Sequence, residues 1–419
     1  MTDMQPGDIL SVNIESLGKG GDGAAEVSGQ RLMVPFALPG EEVKAQITEV
    51  NPAYASGKAL EFTKTSAARA VPPCVHFYQC GGCRLQHMNA ELYRNFKHDL
   101  FLRALERAGA EPAGQLVEIG PYSRRRATFK VAMENELRLG FYENNSHNVV
   151  DIHECHILEP EIFAFSLGLK LSLAKLQEPG KIKEALITKA DTGLDVLIYA
   201  GYSPAPVDIT ELKNLAASGA ARISWKFGEK LIPVALIRPV LMKFGRVEVE
   251  LPDEPFLQPT KKGQELITEE VVKALDQAKS IVDLFSGCGT YSFALAEKSR
   301  VHAVEMGGDM VRALQKAAAK FKASVTAEQR NLHNNPLNKF ELNQYGGAVI
   351  NPPRTGALNQ CKMLAQTKIP KIIMVSCSPD TFSRDAKTLI QGGYKIEKAL
   401  AIDQFHWSPH LEIVAVLGK

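Results

Sequence analysis

Apolar and polar residues alternate one by one in the first part of the chain, as at 43–48 within "EEVKAQITEV", and glycine or proline turns interrupt them at 18–23 and 39–40. A period of two broken by such turns predicts short antiparallel strands. Over 1–63 these strands are expected to close into a small OB-type barrel, an architecture common among nucleic-acid binders. A polar join, "KTSAARAVPPC", follows, and "ELYRNFKHDLFLRALER" at 91–107 shifts to helical spacing. Residues 122–250 return to strand patterns, including "LRLGFYE", "LDVLIYA" and "GRVEVELP", so 64–255 is expected to form a central α+β domain. Beyond 264 the rhythm changes again. A helix around 265–278 precedes the apolar runs "SIVDLF", "VHAVEM", "AVIN" and "KIIMVS", each followed by a turn and an amphipathic segment. Strands alternating with helices imply right-handed crossovers and a doubly wound, mostly parallel sheet over 256–419. The fold class is α/β.

Composition adds limits rather than identity. Hydrophobic residues make up 45% and charged residues 23%, which is ordinary for a chain able to bury a core. The formal net charge is only +2, so contact with nucleic acid must come from local basic patches. The opening "MTDMQPGDILSV" has no basic stretch leading into an apolar run, and no long unbroken apolar segment occurs, so neither a secretory signal nor a membrane span is expected. The cysteines at 74, 80, 83, 155, 288, 361 and 377 are odd in number and scattered. That pattern argues against a disulfide framework and for a reducing cytoplasm.

"VDLFSGCGTYSFALA" (282–296) reads as a strand entering a glycine turn and then a helix. Gly287 and Gly289 permit a tight turn close to a ligand, and the third position of a dinucleotide fingerprint falls on Ser292, so the full GxGxxG is absent. Glu305 ends the next strand about 20 residues beyond Asp283, where doubly wound folds place an acid on ribose hydroxyls. A strand-end Asp, a short glycine turn and such an acid, without a pyrophosphate fingerprint, favour S-adenosylmethionine over NAD.

The later strands end in reactive groups. "NPPRTG" follows "AVI", and its prolines suit a rigid loop that holds a flat substrate. "VSCSPDTF" places Cys377 at the same edge, before a proline-started helix whose amino terminus should favour a thiolate nucleophile. Cys288 and Cys361 lack such a context and read as structural. In "HWSPHLEIVAVL", Glu412 enters a fully apolar strand, which is costly unless the acid has a task. It reads as a general base, with a surface-exposed strand start as the alternative.

"CVHFYQCGGCRLQH" (74–87) packs Cys74, Cys80 and Cys83 with two glycines, and Cys155 in "DIHECHILEP" is a plausible fourth thiolate. Four thiolates suit zinc or a [4Fe–4S] cluster, and the spacing does not separate the two. His76, His87, His153 and His156 are nearby alternatives. "YSRRRATFK" interleaves Arg124, Arg125, Arg126 and Lys130 with aromatic rings, a pattern that can meet phosphates and stack bases. A solvated strand edge is the competing reading.

Taken in order, "CVHFYQCGGCRLQH", "DLFSGCGTYSFALA", "NPPR", "SCSP" and "HLEIVAVL" resemble the RNA 5-methyluridine methyltransferases over essentially the whole chain. Within them the chain is similar to the iron–sulfur branch acting on 23S ribosomal RNA. The resemblance implies an amino-terminal TRAM barrel, a central domain holding a [4Fe–4S] cluster on Cys74, Cys80, Cys83 and Cys155, and a carboxyl-terminal class I methyltransferase domain. It implies Cys377 as nucleophile toward C6 of uracil and Glu412 as the base that removes the C5 proton. The S-adenosyl-L-methionine site would gather Gln258, Phe285, Gly287, Gly289, Thr290, Glu305, Asn331 and Asn351. It implies a monomer acting on ribosomal RNA away from membranes. Asn351 departs from the Asp-Pro-Pro-Arg usual in the family and cannot carry a negative charge. The same chemistry on a tRNA T-loop uridine, or a non-catalytic RNA-binding or assembly role with a decayed donor site, are the alternatives.

Overall fold

The computed structural model describes residues 4–111 and 113–419, which divide into two compact units. The first holds residues up to Leu100 together with Trp407–Pro409; the second holds Phe101–His406 and His410–Lys419.

In the first unit, strands Ile9–Asn13, Glu42–Val50, Ala55–Lys64, Gln30–Val34, Gly23–Val27 and Ser16–Leu17 hydrogen-bond in that order. The two end strands, Ile9–Asn13 and Ser16–Leu17, are joined by only Ile14 and Glu15, so the sheet curls back on itself as a barrel. Register shifts along the pairing of Glu42–Val50 with Ala55–Lys64 supply the bulges that such curvature needs. Val43, Ala45 and Ile47 alternate inward and pack with Val12, Leu32 and Val34. Glu41 is buried beside them. Burial opposes its charge, but hydrogen bonds from Arg69, Leu38 and Ser66 hold its carboxyl below the usual range. Arg69 reaches it with Nε at 2.6 Å and Nη2 at 2.7 Å, which fastens the irregular segment after the barrel to its wall.

In the second unit, strands Val149–Asp151, Leu137–Tyr142, Arg126–Met133, Ile182–Ala190, Gly193–Ala200, Ala220–Phe227 and Lys230–Leu236 form one sheet, antiparallel except for Gly193–Ala200 beside Ala220–Phe227. Helices Pro160–Leu173 and Pro206–Ala216, each with proline in its first turn, interrupt a stretch expected to be mainly strand. The helix expected at 265–278 spans Lys261–Ala274, because the Thr260 side chain caps it by accepting from Gly263 N at 3.0 Å.

The larger sheet runs Val325–Gln329, Arg300–Glu305, Ser280–Leu284, Gly347–Ile350, Lys371–Ser376, Glu412–Gly418, Lys395–Asp403 and Gln115–Glu118. Its first five strands are parallel, and Glu412–Gly418 slots antiparallel between Lys371–Ser376 and Lys395–Asp403. Helices cover it, and the central strand Gly347–Ile350 and the inserted Glu412–Gly418 are buried throughout. Gln115–Glu118 extends the sheet from upstream of the expected domain start. One consequence of this order matters for chemistry: the carboxyl ends of the parallel strands and the amino end of Glu412–Gly418 share one edge.

Candidate active site

The turn after Ser280–Leu284 is built under backbone constraint. Phe285 has φ of 62°, Gly287 56° and Gly289 92°. A side chain on Gly289 would also strike the Phe293 ring at 2.7 Å. Phe285 N and Ser286 N donate to Val304 O, at 2.9 and 3.2 Å, and so pin the turn to the adjacent strand. Glu305, ending that strand, accepts from Gly287 N at 3.0 Å and from Met306 N and Gly307 N at 2.8 Å. The acid is thus locked beside the glycine turn, as its position in the sequence suggested.

Below the turn lies Asp283, fully buried. Its Oδ2 accepts from Ser292 Oγ at 2.6 Å, while Oδ1 has no partner among the described residues, and neither has the buried Ser286 Oγ. Burial pushes the Asp283 carboxyl up to about 7; the Ser292 bond pulls against this and Glu305 adds to it. A buried carboxylate oxygen and a hydroxyl left unpaired at one turn are costly unless a ligand satisfies them. A polar, cationic ligand such as S-adenosylmethionine, with an amino group and a sulfonium, fits this donor and acceptor set. Asp283 was not among the expected donor-site residues, although an acid inside "SIVDLF" was its visible signal.

The remaining expected donor-site residues lie along the same edge. Thr290 opens the helix Thr290–Leu295. Asn331, just beyond Val325–Gln329, accepts through Oδ1 from His333 N at 3.0 Å. Asn351, just beyond Gly347–Ile350, donates its backbone N to Leu284 O at 3.2 Å. Gln258 is buried in a polar chain: Gln404 Nε2 donates to Gln258 Oε1 at 2.7 Å, and Gln258 Nε2 lies 3.1 Å from the Tyr291 hydroxyl.

Strand register brings together the two reactive groups. Ser376 pairs with Ile413 in the antiparallel ladder, so Cys377 and Glu412 are the next residues on either side, at the end where the strands diverge. Glu412 is buried, and burial pushes its carboxyl up to about 8 against the opposing bond from Gln404. Cys377 is half-buried. Burial pushes its thiol up to about 11, the Glu412 charge adds to this, and Arg354 pulls the other way. The expectation that a helix amino terminus would favour the thiolate is therefore corrected. Helix Pro379–Gln391 does begin two residues on, but Ser378 caps it, and desolvation beside an acid outweighs what remains of the dipole.

The basic stretch is also corrected. Strand Arg126–Met133 lies inside its sheet, between Leu137–Tyr142 and Ile182–Ala190, so alternate side chains face inward. Arg125 is 2% exposed, in phase with Ala127 and Phe129. Its Nε donates to Gln258 O at 2.9 Å and its Nη2 to Gln264 Oε1 at 2.7 Å. Burial lowers its guanidinium to about 10, with Glu159, Asp191 and Glu265 opposing. Arg126 is lowered by burial too, Arg124 Nε donates to Arg126 O at 2.9 Å, and Lys130 pairs with Glu184. Arg125 is thus a core residue rather than part of an open basic surface, whereas Arg124, Arg126 and Lys130 are half-buried.

None of the seven cysteines forms a disulfide. Cys74, Cys80 and Cys83 occupy irregular turns, with Cys80 N donating to His76 O at 2.8 Å and Gly82 N to Cys80 Sγ at 3.4 Å. In the second unit, burial pushes the Cys155 thiol up, while amide bonds from Ile157 and Leu158 oppose this. Among the described residues, no group of three or more His, Cys, Asp or Glu side chains is arranged to hold a metal ion. The expectation of a metal held by Cys74, Cys80, Cys83 and Cys155 gains no support from this arrangement. His87 does not offer itself in their place: buried between aromatic rings, it is pushed down to about 4 by desolvation and Arg69. No helix among the described residues is long and apolar enough to cross a membrane.

Known proteins resemble this chain from end to end. The family described as tRNA (Uracil-5-)-methyltransferase matches residues 240–419, and the TRAM domain matches residues 4–60. An uncharacterized RNA methyltransferase of Mesorhizobium japonicum is 37% identical over 97% of both chains. The 23S rRNA (uracil(1939)-C(5))-methyltransferase RlmD of Halomonas elongata is 29% identical, covering 96% of this chain and 88% of its own. In fold, the crystal structure of Pyrococcus abyssi tRNA (uracil-54, C5)-methyltransferase with S-adenosyl-L-homocysteine matches at a TM-score of 0.75. It covers 97% of this chain and all of its own at 20% identity.

Proposed function

Since the chain belongs to the RNA uracil-5-methyltransferase family and carries a TRAM domain, we propose that it forms 5-methyluridine in 23S ribosomal RNA, through a covalent adduct between Cys377 and C6 of the target base. The carrying observation is the facing of Cys377 and the buried Glu412 across one strand pair, beside the constrained glycine turn.

C5 of uracil is a weak nucleophile. Addition of the Cys377 thiolate at C6 moves an electron pair onto the O4–C4–C5 enolate, and C5 then attacks the donor methyl group. S-adenosyl-L-methionine, when bound, supplies that methyl on a sulfonium and leaves as the neutral thioether. Glu412 removes the C5 proton, the C6–S bond breaks, and the electron pair returns to sulfur. The balance is uridine plus sulfonium giving 5-methyluridine, thioether and one proton. Both acidic groups rest protonated at pH 7, so the chemistry requires a binding event that favours their charged forms. A neighbouring sulfonium acts in that direction, and Arg354 does so on Cys377. The donor would be held by Gln258, Phe285, Gly287, Gly289, Thr290, Glu305, Asn331 and Asn351, with Asp283 added. Asn351 offers an amide where the family has a carboxylate.

The same reading assigns Cys74, Cys80, Cys83 and Cys155 to a [4Fe–4S] cluster. Support comes from the four-thiolate donor set and from the amide bond onto Cys80 Sγ. Iron and sulfide assays on anaerobically purified protein test this, and stoichiometric zinc in colourless protein overturns it. For the function as a whole, mass spectrometry of ribosomal RNA and tRNA from a deletion strain is decisive. Loss of one 5-methyluridine from 23S RNA is expected; loss from tRNA instead moves the target, and no loss in either removes the proposed activity.

A further inference from the structure

The buried chain of amides behind Glu412 has a direction fixed by hydrogen-bond chemistry. Gln404 Nε2 lies 2.7 Å from Glu412 Oε2 and 2.7 Å from Gln258 Oε1. With Glu412 ionised, as a base must be, both partners accept, and the Gln404 amide presents its two N–H bonds to them. Its Oε1 faces Thr260 Oγ1 at 3.5 Å, and Thr260 caps the helix Lys261–Ala274. Gln258, with its Oε1 taken, turns its own Nε2 toward the Tyr291 hydroxyl. Arg125 then fixes the Gln258 backbone through Nε to the carbonyl oxygen. Gln258, Thr260, Tyr291 and Gln404 are all buried, so the chain is shielded from exchange with bulk water.

From this we infer that Gln404 is a positioning residue for the reaction: it occupies Glu412 Oε2, leaves Oε1 as the oxygen that takes the C5 proton, and ties the base to the donor-site residue Gln258. The inference rests on Glu412 being the base. A donor on Oε2 stabilises the carboxylate form, so Gln404 also limits how far burial suppresses ionisation. The other charged or titratable groups bearing on Glu412 are Cys377, from the end of Lys371–Ser376, and Tyr291, from Thr290–Leu295. Asp403 lies on the strand that pairs with Glu412 through Ile402, and the pleat turns it to the opposite face.

The test separates proton removal from adduct formation. Gln404→Met keeps the volume of the side chain but removes both donors. With total RNA from a strain lacking the enzyme, kcat at pH 7 should fall about 10-fold or more, within the range of a general-base contribution. KM for donor and RNA should stay within about two-fold, and the alkaline rise of the kcat profile should move up by roughly one unit. With 5-fluorouridine RNA, where there is no C5 proton to remove, adduct formation should match wild type. Gln404→Glu, which places a second acid against Oε2, should move the profile further the same way and serves if Gln404→Met does not fold. An unchanged profile and kcat overturns the inference, as does adduct formation that falls in step with turnover. Glu412→Gln is run alongside to keep the two failures apart. Normal turnover in that variant defeats the assignment of the base itself, whereas lost turnover there, with an unchanged Gln404→Met enzyme, defeats the role of Gln404 alone.

Discussion

Two cysteine-bearing regions of this molecule stand in opposite physical situations. Cys74, Cys80 and Cys83 lie in irregular turns held by local bonds such as Cys80 N to His76 O and Cys74 N to Gln86 Oε1, and all three are half-buried. Cys377 sits at the end of a strand paired on both sides, where ladder register fixes what it faces and burial sets its protonation. Regular structure thus transmits position over a whole sheet, whereas the turn segment takes its shape from local bonds. The difference teaches where each kind of claim can be tested: by reaction steps at the sheet edge, and by bound metal in the turns.

The sharpest break is Cys377→Ala, which should abolish both methylation and the covalent adduct with 5-fluorouridine RNA. A persistent adduct would move the nucleophile elsewhere, Cys288 and Cys361 being fully buried alternatives. Glu412→Gln comes next, with turnover reduced by about 10²–10⁴-fold and the adduct retained. In the wild type, the free enzyme's rate should climb with pH through about 8, since Glu412 is charged only above that value. Cys80→Ser should lower iron and sulfide content while leaving adduct formation by Cys377 in place. If it removes the adduct as well, the two regions are not as separable as their surroundings indicate.

Smaller effects probe what the basic stretch does. Arg125→Met leaves Gln258 O and Gln264 Oε1 without their donor, at a cost of roughly 1–3 kcal/mol for a buried unsatisfied group. Urea unfolding should register this, while the salt dependence of RNA binding should not change; a lost phosphate contact would show the reverse. A further effect is on the pH dependence of stability. The folded state holds a proton on Glu412 up to about 8, while an unfolded glutamate loses it near its ordinary value. Its contribution is therefore complete at low pH and is lost as pH rises between those values. Glu412→Gln should flatten that decline in melting temperature, leaving the part due to Asp283.

What could be read from the chain followed the sheets. Glu305, Asn351 and Cys377 were recognisable because each sits where an apolar run stops, and parallel strands stop at one edge; Glu412 was recognisable as an acid opening an apolar run. The burial of Arg125 was not legible, because alternation of basic and aromatic residues does not say which face of a strand is covered. Helix Pro160–Leu173 was hidden for a related reason: its sequence, "PEIFAFSLGLKLSL", is apolar on nearly every side, so no single periodic stripe announces it. Gln404 carries no motif at all. Its meaning lies in which buried groups it meets, and its bonds to Gln258 and Thr260 join segments more than a hundred residues apart.

The strand Glu412–Gly418 is inserted between two strands that both precede it in the chain. In chain order Lys371–Ser376 and Lys395–Asp403 both come first, so Cys377 is synthesised before the residue it faces. One strand therefore does two jobs: it joins two sheet segments that have no ladder with each other, and it sets Glu412 across from Cys377.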